Sequence, residues 1–162
     1  FLGKYDLWSR WSPEEQGVLI AYASMYGNTE AAAQALAARL VEQGVKNVEV
    51  RDVSATHVSH LMDLTMRLSH VVLAGVTYNG GVFPPMAAFL EDMKALGVKD
   101  RTFAILENGT WAPASGKLMA AAVEALPGCT VLEQRISLRS ALNEEGQAQL
   151  DELAQAIAGS LN

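Results

Sequence analysis

The sequence predicts an α/β fold, with a parallel β-sheet of five strands and helices on both of its faces. Apolar runs of five or six residues alternate along the chain with longer segments whose apolar residues recur at helical spacing. Parallel neighbours in a sheet need a crossover long enough for a helix, so this alternation favours parallel pairing through right-handed crossovers. Half of the 162 residues are hydrophobic, which suffices for one compact domain with its own core.

The five strands are predicted from apolar runs whose length is typical of buried strands. The first run leads into an alanine-rich segment, and each of the others is also followed by a helical pattern. The predicted strands cover residues 18–23, 48–53, 71–76, 102–106 and 131–136.

Five helices are predicted between and after these strands. The first, 29–42, carries Ala32, Leu36 and Leu40 at helical spacing and stops before Gly44, a position that favours glycine. The third begins after a proline pair, as proline in a first helical turn allows. The second to fifth predicted helices cover residues 57–68, 85–96, 115–126 and 144–158.

The turn between the first strand and the first helix has the composition of a phosphate site. Hydroxyl and amide side chains, successive backbone N–H groups and the helix dipole can bind a dianion, and the glycine lets the turn close around it. No Lys or Arg occurs between Gly17 and Arg39, so such a site would use neutral donors. The turn consists of Ser24, Met25, Tyr26, Gly27, Asn28 and Thr29.

Two further polar loops follow the third and fourth strands. Carboxyl ends of parallel strands meet at one edge of the sheet, and ligands bind there where the strand order reverses. The three loops therefore predict a single binding site. The second loop is Thr77-Tyr78-Asn79-Gly80-Gly81, and the third is Glu107-Asn108-Gly109-Thr110-Trp111-Ala112.

Together these loops resemble those of the flavodoxin-like domain of flavodiiron proteins, the A-type flavoproteins. The resemblance rests on Ser-Met-Tyr-Gly-Asn-Thr, on Tyr-Asn-Gly-Gly-x-Phe-Pro-Pro-Met and on Gly-x-Trp in the third loop, and it covers residues 18–162. It implies a flavodoxin-like, doubly wound sheet with strand order 2-1-3-4-5 and flavin mononucleotide (FMN) as cofactor.

The resemblance also implies roles for the three loops. The first would bind the FMN phosphate. Thr77, Tyr78, Asn79, Gly80 and Gly81 would pass the flavin N5 edge, with Gly80 or Gly81 letting a peptide reorient. Asn108 and the backbone from Glu107 to Gly109 would meet the pyrimidine edge. Trp111 would stack on the isoalloxazine ring, and Tyr26 and Tyr78 are ring contacts or packing residues. A site without nearby cations would give the second reduction a low potential. No catalytic residue and no metal ligand is expected.

By resemblance, electrons arrive from rubredoxin or a reductase and leave for a diiron site that reduces O2 or NO. That site lies in a metallo-β-lactamase-like domain, either of the same chain or of the partner subunit in a head-to-tail dimer. The parent protein is expected to be a homodimer or tetramer, and this domain is not expected to reduce O2 or NO alone. Residues 1–17, with Tyr5, Trp8 and Trp11, are predicted to be a connector from an upstream domain, leaving 18–162 as the FMN-binding domain.

Two other functions fit parts of the pattern. Quinone reductases of the flavodoxin-like group also use Ser-Met-Tyr-Gly, but the stretch from Gly80 to Pro85 departs from what is expected of them. A flavodoxin-like domain that has lost its flavin would serve assembly alone, which the intact polar loops argue against.

Composition and spacing disfavour several other classes of protein. Eighteen acidic against twelve basic residues give a net charge of −6, which argues against nucleic acid and anionic membrane partners. No apolar run has the length of a membrane span, and the single cysteine, Cys129, suits a reducing cytoplasm. His57, His60 and Asp63 have helical spacing for a metal, yet such a trio is more often an exposed polar face. The stretch 109–117 lacks the glycine spacing of a nucleotide loop.

Overall fold

The computed structural model describes residues 15–23, 27–78, 81–108, 115–133, 136–138 and 144–161. The strands are β1 (Glu15–Tyr22), β2 (Val48–Asp52), β3 (Leu68–Tyr78), β4 (Gly81–Val82), β5 (Thr102–Asn108), β6 (Thr130–Val131) and β7 (Ile136–Leu138). The helices are α1 (Asn28–Glu42), α2 (Val58–Arg67), α3 (Pro84–Ala95), α4 (Ser115–Glu124) and α5 (Glu144–Ser160).

The main strands form a parallel sheet in the order β2-β1-β3-β5-β6. The short strand β4 pairs antiparallel with β3. Strands β6 and β7 both pair parallel with β5, β6 at its start and β7 at its end. With β6 and β7 counted as the fifth strand, this is the predicted order 2-1-3-4-5, and the predicted fold class is confirmed.

Helices cover both faces of the sheet, as the alternation of buried side chains in the strands requires. Leu19 and Leu73 pack with side chains of α2, α3 and α4, whereas the adjacent Ile20 and Val72 pack with side chains of α1 and α5. Two hydrophobic cores therefore lie back to back, separated by the sheet, with all four of these strand residues fully buried.

The fifth strand and the third differ in extent from the prediction. Residues 131–136 were expected to form one strand, but β6 ends at Val131 and β7 begins at Ile136. Polar residues 133–135 interrupt the apolar run there. The third strand starts at Leu68 rather than at residue 71, and it includes the buried polar residues Ser69 and His70. Both have hydrogen-bond partners, as buried polar groups require. The Ser69 hydroxyl lies 2.7 Å from Nδ1 of His70.

Helix α2 begins at Val58, and His57 caps it rather than forming its first residue. The Nδ1 atom of His57 accepts a hydrogen bond from the Ser59 N–H at 3.1 Å. A side-chain acceptor at this position satisfies a backbone donor that has no partner within the helix. Within the part of the chain that the structure describes, no group of three or more His, Cys, Asp or Glu side chains is placed to hold a metal ion.

No helix in the described ranges combines the length and the apolar character needed to cross a lipid bilayer.

Candidate cofactor-binding site

Three adjacent strands of the sheet end at the edge where the site is predicted. Strand β1 lies beside β3, and β3 lies beside β5, so their carboxyl ends are neighbours. Tyr22 near the end of β1 is opposite Ala74 of β3, and Val76 of β3 is opposite Asn108 of β5. The segments that follow these strands are the three predicted loops, and their starting points therefore lie side by side.

Gly27 forms the corner between the first strand and α1. Its backbone is left-handed, with φ 85° and ψ −12°, and its carbonyl accepts the Ala31 N–H at 3.0 Å. Among the described residues, a Cβ atom added at Gly27 would meet nothing within 4 Å, so the glycine is required by the backbone conformation and not by crowding.

The structure describes some of the other residues of the first loop and not others. Helix α1 begins at Asn28, so the first backbone N–H groups of the helix are presented at this edge. Thr29 is buried, with 2% of its surface exposed. Ser24, Met25 and Tyr26 lie outside the described residues.

Tyr22 lies beside the start of α1 and was not among the predicted site residues. Its hydroxyl donates a hydrogen bond to Oε1 of Glu30, in the first turn of α1, at 3.0 Å. Burial, the bond to Glu30 and the negative charges of Glu30 and Asp52 raise the pKa of Tyr22 to about 12. Tyr22 is therefore a neutral donor at pH 7, and it fixes one orientation of the Glu30 carboxylate.

The second loop is framed by a short antiparallel pair. Thr77 lies opposite Val82, and Tyr78 lies opposite Gly81. The structure thus places the backbone of Thr77, Tyr78 and Gly81 at the predicted edge. Asn79 and Gly80, between the two paired segments, are outside the described residues.

Beyond this pair the chain returns to one face of the sheet. Phe83, partly buried against the core that α2, α3 and α4 cover, directly precedes α3. Helix α3 then begins at Pro84, where a proline costs no helical hydrogen bond.

The third loop leaves β5 at Asn108 and reaches α4 at Ser115. Glu107, next to the end of β5, accepts the backbone N–H of Gly116 through Oε2 at 2.7 Å. Gly109 and Trp111, the residues expected to meet the flavin ring, lie outside the described residues. The structure therefore gives the two ends of this loop and one bond that joins them.

Two glycines that the sequence analysis did not single out support this part of the edge. A Cβ at Gly116 would lie 2.7 Å from Cδ of Glu107, and a Cβ at Gly75 would lie 3.0 Å from Sδ of Met119. Both glycines allow α4 to lie close to the sheet. A glycine inside an otherwise regular strand or helix pattern is the signal that could have identified them.

Comparisons with known proteins agree with this architecture. Residues 20–133 match the flavodoxin family model. The rubredoxin-oxygen oxidoreductase of Megalodesulfovibrio gigas is 25% identical over 158 residues, which cover 98% of this chain and 39% of that protein. The solved rubredoxin oxygen:oxidoreductase of Desulfovibrio gigas superposes with a TM-score of 0.90 at 25% identity, covering 99% of this chain and 39% of that one.

The flavodiiron protein of Giardia intestinalis has the same fold in part of its length, with a TM-score of 0.82 at 20% identity, covering 99% of this chain and 40% of that one. The chain thus spans about two fifths of the length of the relatives it matches. The predicted resemblance to the flavodoxin-like part of flavodiiron proteins is confirmed. Since the matched family model covers most of the chain and the sheet has the order of that fold, the chain belongs to the flavodoxin family.

Proposed function

We propose that this chain is an FMN-binding electron-transfer domain of a flavodiiron-type protein. Membership of the flavodoxin family implies a flavin cofactor, and FMN is the flavin that we assign to it. The observation that carries the proposal is the meeting of three strand ends at one edge, where α1 starts from the left-handed Gly27. When bound, FMN accepts and releases electrons singly, and the protein binds it and sets its potential.

The residues of the first loop fit the phosphate end of FMN. We propose that Ser24, Met25, Tyr26, Gly27, Asn28 and Thr29 surround the phosphate. Backbone N–H groups at the start of α1 and the helix dipole favour a dianion there. No Lys or Arg occurs between Gly17 and Arg39, so the donors of this loop are neutral.

The ring of FMN would lie between the second and third loops. We propose that Thr77, Tyr78, Asn79, Gly80 and Gly81 flank its N5 edge, that Asn108 and the backbone from Glu107 to Gly109 meet its pyrimidine edge, and that Trp111 stacks on its face. The parallel neighbours β3 and β5, which carry these loops, are paired up to Val76 and Asn108. A rigid frame of this kind limits the movement of the loops and lowers the entropy lost on binding.

The partners in electron transfer follow from the relatives. The names of the matched proteins refer to rubredoxin, to oxygen and to a diiron protein. We propose that electrons reach this domain from rubredoxin or a reductase and pass to a diiron site that reduces O2 or NO. Because the chain spans only 39% of the relative from M. gigas, that site would lie in a separate metallo-β-lactamase-like domain. Residues 1–17 would connect the two domains within a homodimer or tetramer.

The purified protein gives the direct test. Its visible spectrum should show a bound flavin, or gain one when FMN is added, and FMN should bind more tightly than riboflavin, which lacks the phosphate. Reduced rubredoxin should reduce the bound flavin, while the protein alone should not consume O2 or NO at a catalytic rate. A protein that ignores added FMN would instead be an assembly domain, and rapid NAD(P)H-dependent quinone reduction would make it a quinone reductase.

A further inference from the structure

We propose that Glu107 is a positioning residue for the flavin site. Its carboxylate joins the end of β5 to the start of α4 and so fixes the separation of the two ends of the third loop. This inference rests on the proposed function, because the loop between these ends carries Trp111, the expected ring contact.

The contact itself is short and joins complementary groups. Oε2 of Glu107 lies 2.7 Å from the backbone nitrogen of Gly116, within the range of charge-assisted hydrogen bonds. The Gly116 N–H belongs to the first turn of α4 and has no acceptor inside the helix. A carboxylate from a neighbouring strand thus does what a capping side chain normally does from the residue before the helix.

The backbone of Glu107 is held on both sides. Gly75 of β3 is its partner on one side and Ser137 of β7 on the other. Its side chain therefore projects from a fixed point of the sheet. Through this side chain the sheet contacts α4 at Gly116, which is buried.

Close contacts between the sheet and α4 restrict where this helix can lie. A Cβ at Gly116 would meet Cδ of Glu107 at 2.7 Å and both of its carboxylate oxygens at 2.9 Å. One turn further along α4, Met119 lies where a Cβ at Gly75 would be 3.0 Å from its sulfur. Because Gly75 is the strand partner of Glu107, the two close contacts lie side by side and fix the same end of the helix.

The bond also fixes the separation of two elements on which the proposed site depends. The end of β5 at Asn108 and the start of α4 at Ser115 keep one separation while the carboxylate of Glu107 holds the Gly116 N–H. Flavin contacts carried by these two ends then need less ordering when FMN binds. Loss of the Glu107 carboxylate should let the start of α4 move relative to β5 and weaken FMN binding.

The test compares Glu107→Ala with Glu107→Gln. The amide oxygen of glutamine can accept the same N–H, so Glu107→Gln should bind FMN within about twofold of the unmodified protein. Glu107→Ala should bind FMN about tenfold more weakly, as expected for loss of a hydrogen bond to a charged group. Quenching of flavin fluorescence in the complex should also decrease in Glu107→Ala and be preserved in Glu107→Gln. Glu91→Ala, which removes an exposed carboxylate from α3, is the matched control and should leave both quantities unchanged.

A second comparison tests the contact without flavin. Gly116→Ala should lower the free energy of unfolding in the unmodified protein, because its Cβ would displace the carboxylate of Glu107 from the N–H of residue 116. In the Glu107→Ala background there is no carboxylate to displace, and the same substitution should be neutral or stabilising because alanine favours helix. Additive effects of the two substitutions would show that the contact is not made as described.

The outcomes separate this inference from the proposed function. Equal FMN affinity of Glu107→Ala and the unmodified protein, or equal weakening in Glu107→Gln and Glu107→Ala, would overturn the role of Glu107 while leaving the flavin site intact. A protein that binds no FMN at all would overturn the proposed function first, and the role of Glu107 with it.

Discussion

Arg101 donates a hydrogen bond from Nε to the carbonyl oxygen of Thr65 at 2.8 Å, so a buried guanidinium satisfies an acceptor in the last turn of α2. A second guanidinium nitrogen donates to the carbonyl of Met66 at 2.9 Å. These carbonyls belong to the helix end, where acceptors lack partners within the helix. Burial lowers the pKa of Arg101, while the nearby Cys129 and Asp100 oppose that shift.

Replacement of Arg101 by methionine should destabilise the fold. The carbonyls of Thr65 and Met66 would lose buried donors, and we expect the free energy of unfolding to fall by about 2–4 kcal/mol. Arg101→Lys should recover only part of the loss, because an ammonium group cannot match the planar fork of the guanidinium. Urea unfolding measures both changes. Arg51→Ala is the control, since each side chain of its ion pair with Glu49 keeps 32% of its surface exposed and the pair should contribute less than about 1 kcal/mol. A similar loss in both variants would contradict this role of Arg101.

His70 should make the stability depend on pH. Its Nδ1 lies 2.7 Å from the Ser69 hydroxyl and its Nε2 lies 2.9 Å from the hydroxyl of Ser160 in α5. Burial lowers the pKa of His70 below its ordinary value of 6.5. Protonation is then easier in the unfolded chain, so this contribution to stability is complete above pH 6.5 and decreases as the pH falls towards the folded-state pKa.

Thermal or urea unfolding at a series of pH values measures this effect. His70→Asn should flatten the rise in unfolding free energy as the pH increases towards 6.5, whereas His60→Gln, at an exposed site, should retain the slope of the unmodified protein. An unchanged slope in His70→Asn would show that other groups cause the pH dependence.

Tyr22 should ionise only well above the ordinary tyrosine pKa. Its pKa, raised to about 12, favours the protonated phenol in the folded state. Its contribution to stability is complete below the ordinary pKa of 10.0 and is lost as the pH rises towards 12. In an ultraviolet absorbance titration, Tyr22→Phe should remove a step near pH 12 and leave earlier steps in place. Loss of an earlier step instead would contradict the environment assigned to Tyr22.

Gly27→Ala should be costly for a purely conformational reason. With φ at 85° and no atom within 4 Å of an added Cβ, the substitution introduces backbone strain without a clash, and we expect a loss of about 1 kcal/mol in stability. FMN affinity should fall as well, because the corner of the phosphate loop would shift. Gly159→Ala is the matched control, because Gly159 lies in α5, its φ is not positive and its added Cβ also meets nothing. That variant should gain up to about 1 kcal/mol in helix stability. Equal effects in chemical unfolding would refute the strain argument.

Trp111→Ala tests the ring contact that the resemblance implies. Stacking beyond buried area contributes about 0.5–1.5 kcal/mol, so FMN affinity should fall by at least several-fold, with Trp111→Phe in between. Fluorescence titration with FMN measures the change. The same affinity in Trp111→Ala and the unmodified protein would remove Trp111 from the site.

Local patterns were enough to predict most of the fold. The spacing of Ala32, Leu36 and Leu40 predicted α1, and all three side chains are fully buried in the core that α1 and α5 cover. The apolar run 71–76 predicted the central strand, because a strand buried on both faces has no polar alternation. Gly44 follows the turn after α1 with φ 91°, as its position indicated.

Contacts between distant residues were not predictable in this way. Arg101 reaches the end of α2 at Thr65, and His70 reaches the end of α5 at Ser160. In each case the two partners are far apart in the sequence, so no periodic pattern predicts the hydrogen bond between them. The same holds for the candidate site: the polar loops were visible in the sequence, but the bonds of Tyr22 to Glu30 and of Glu107 to Gly116 depend on how α1 and α4 lie on the sheet.

The central strand has a mechanical consequence. Leu73 and Val72, one residue apart in β3, belong to different cores on opposite sides of the sheet. Extracting this strand by force or heat would strip both helical layers of their shared support at once. We therefore expect both layers to unfold together with the sheet in a single cooperative transition.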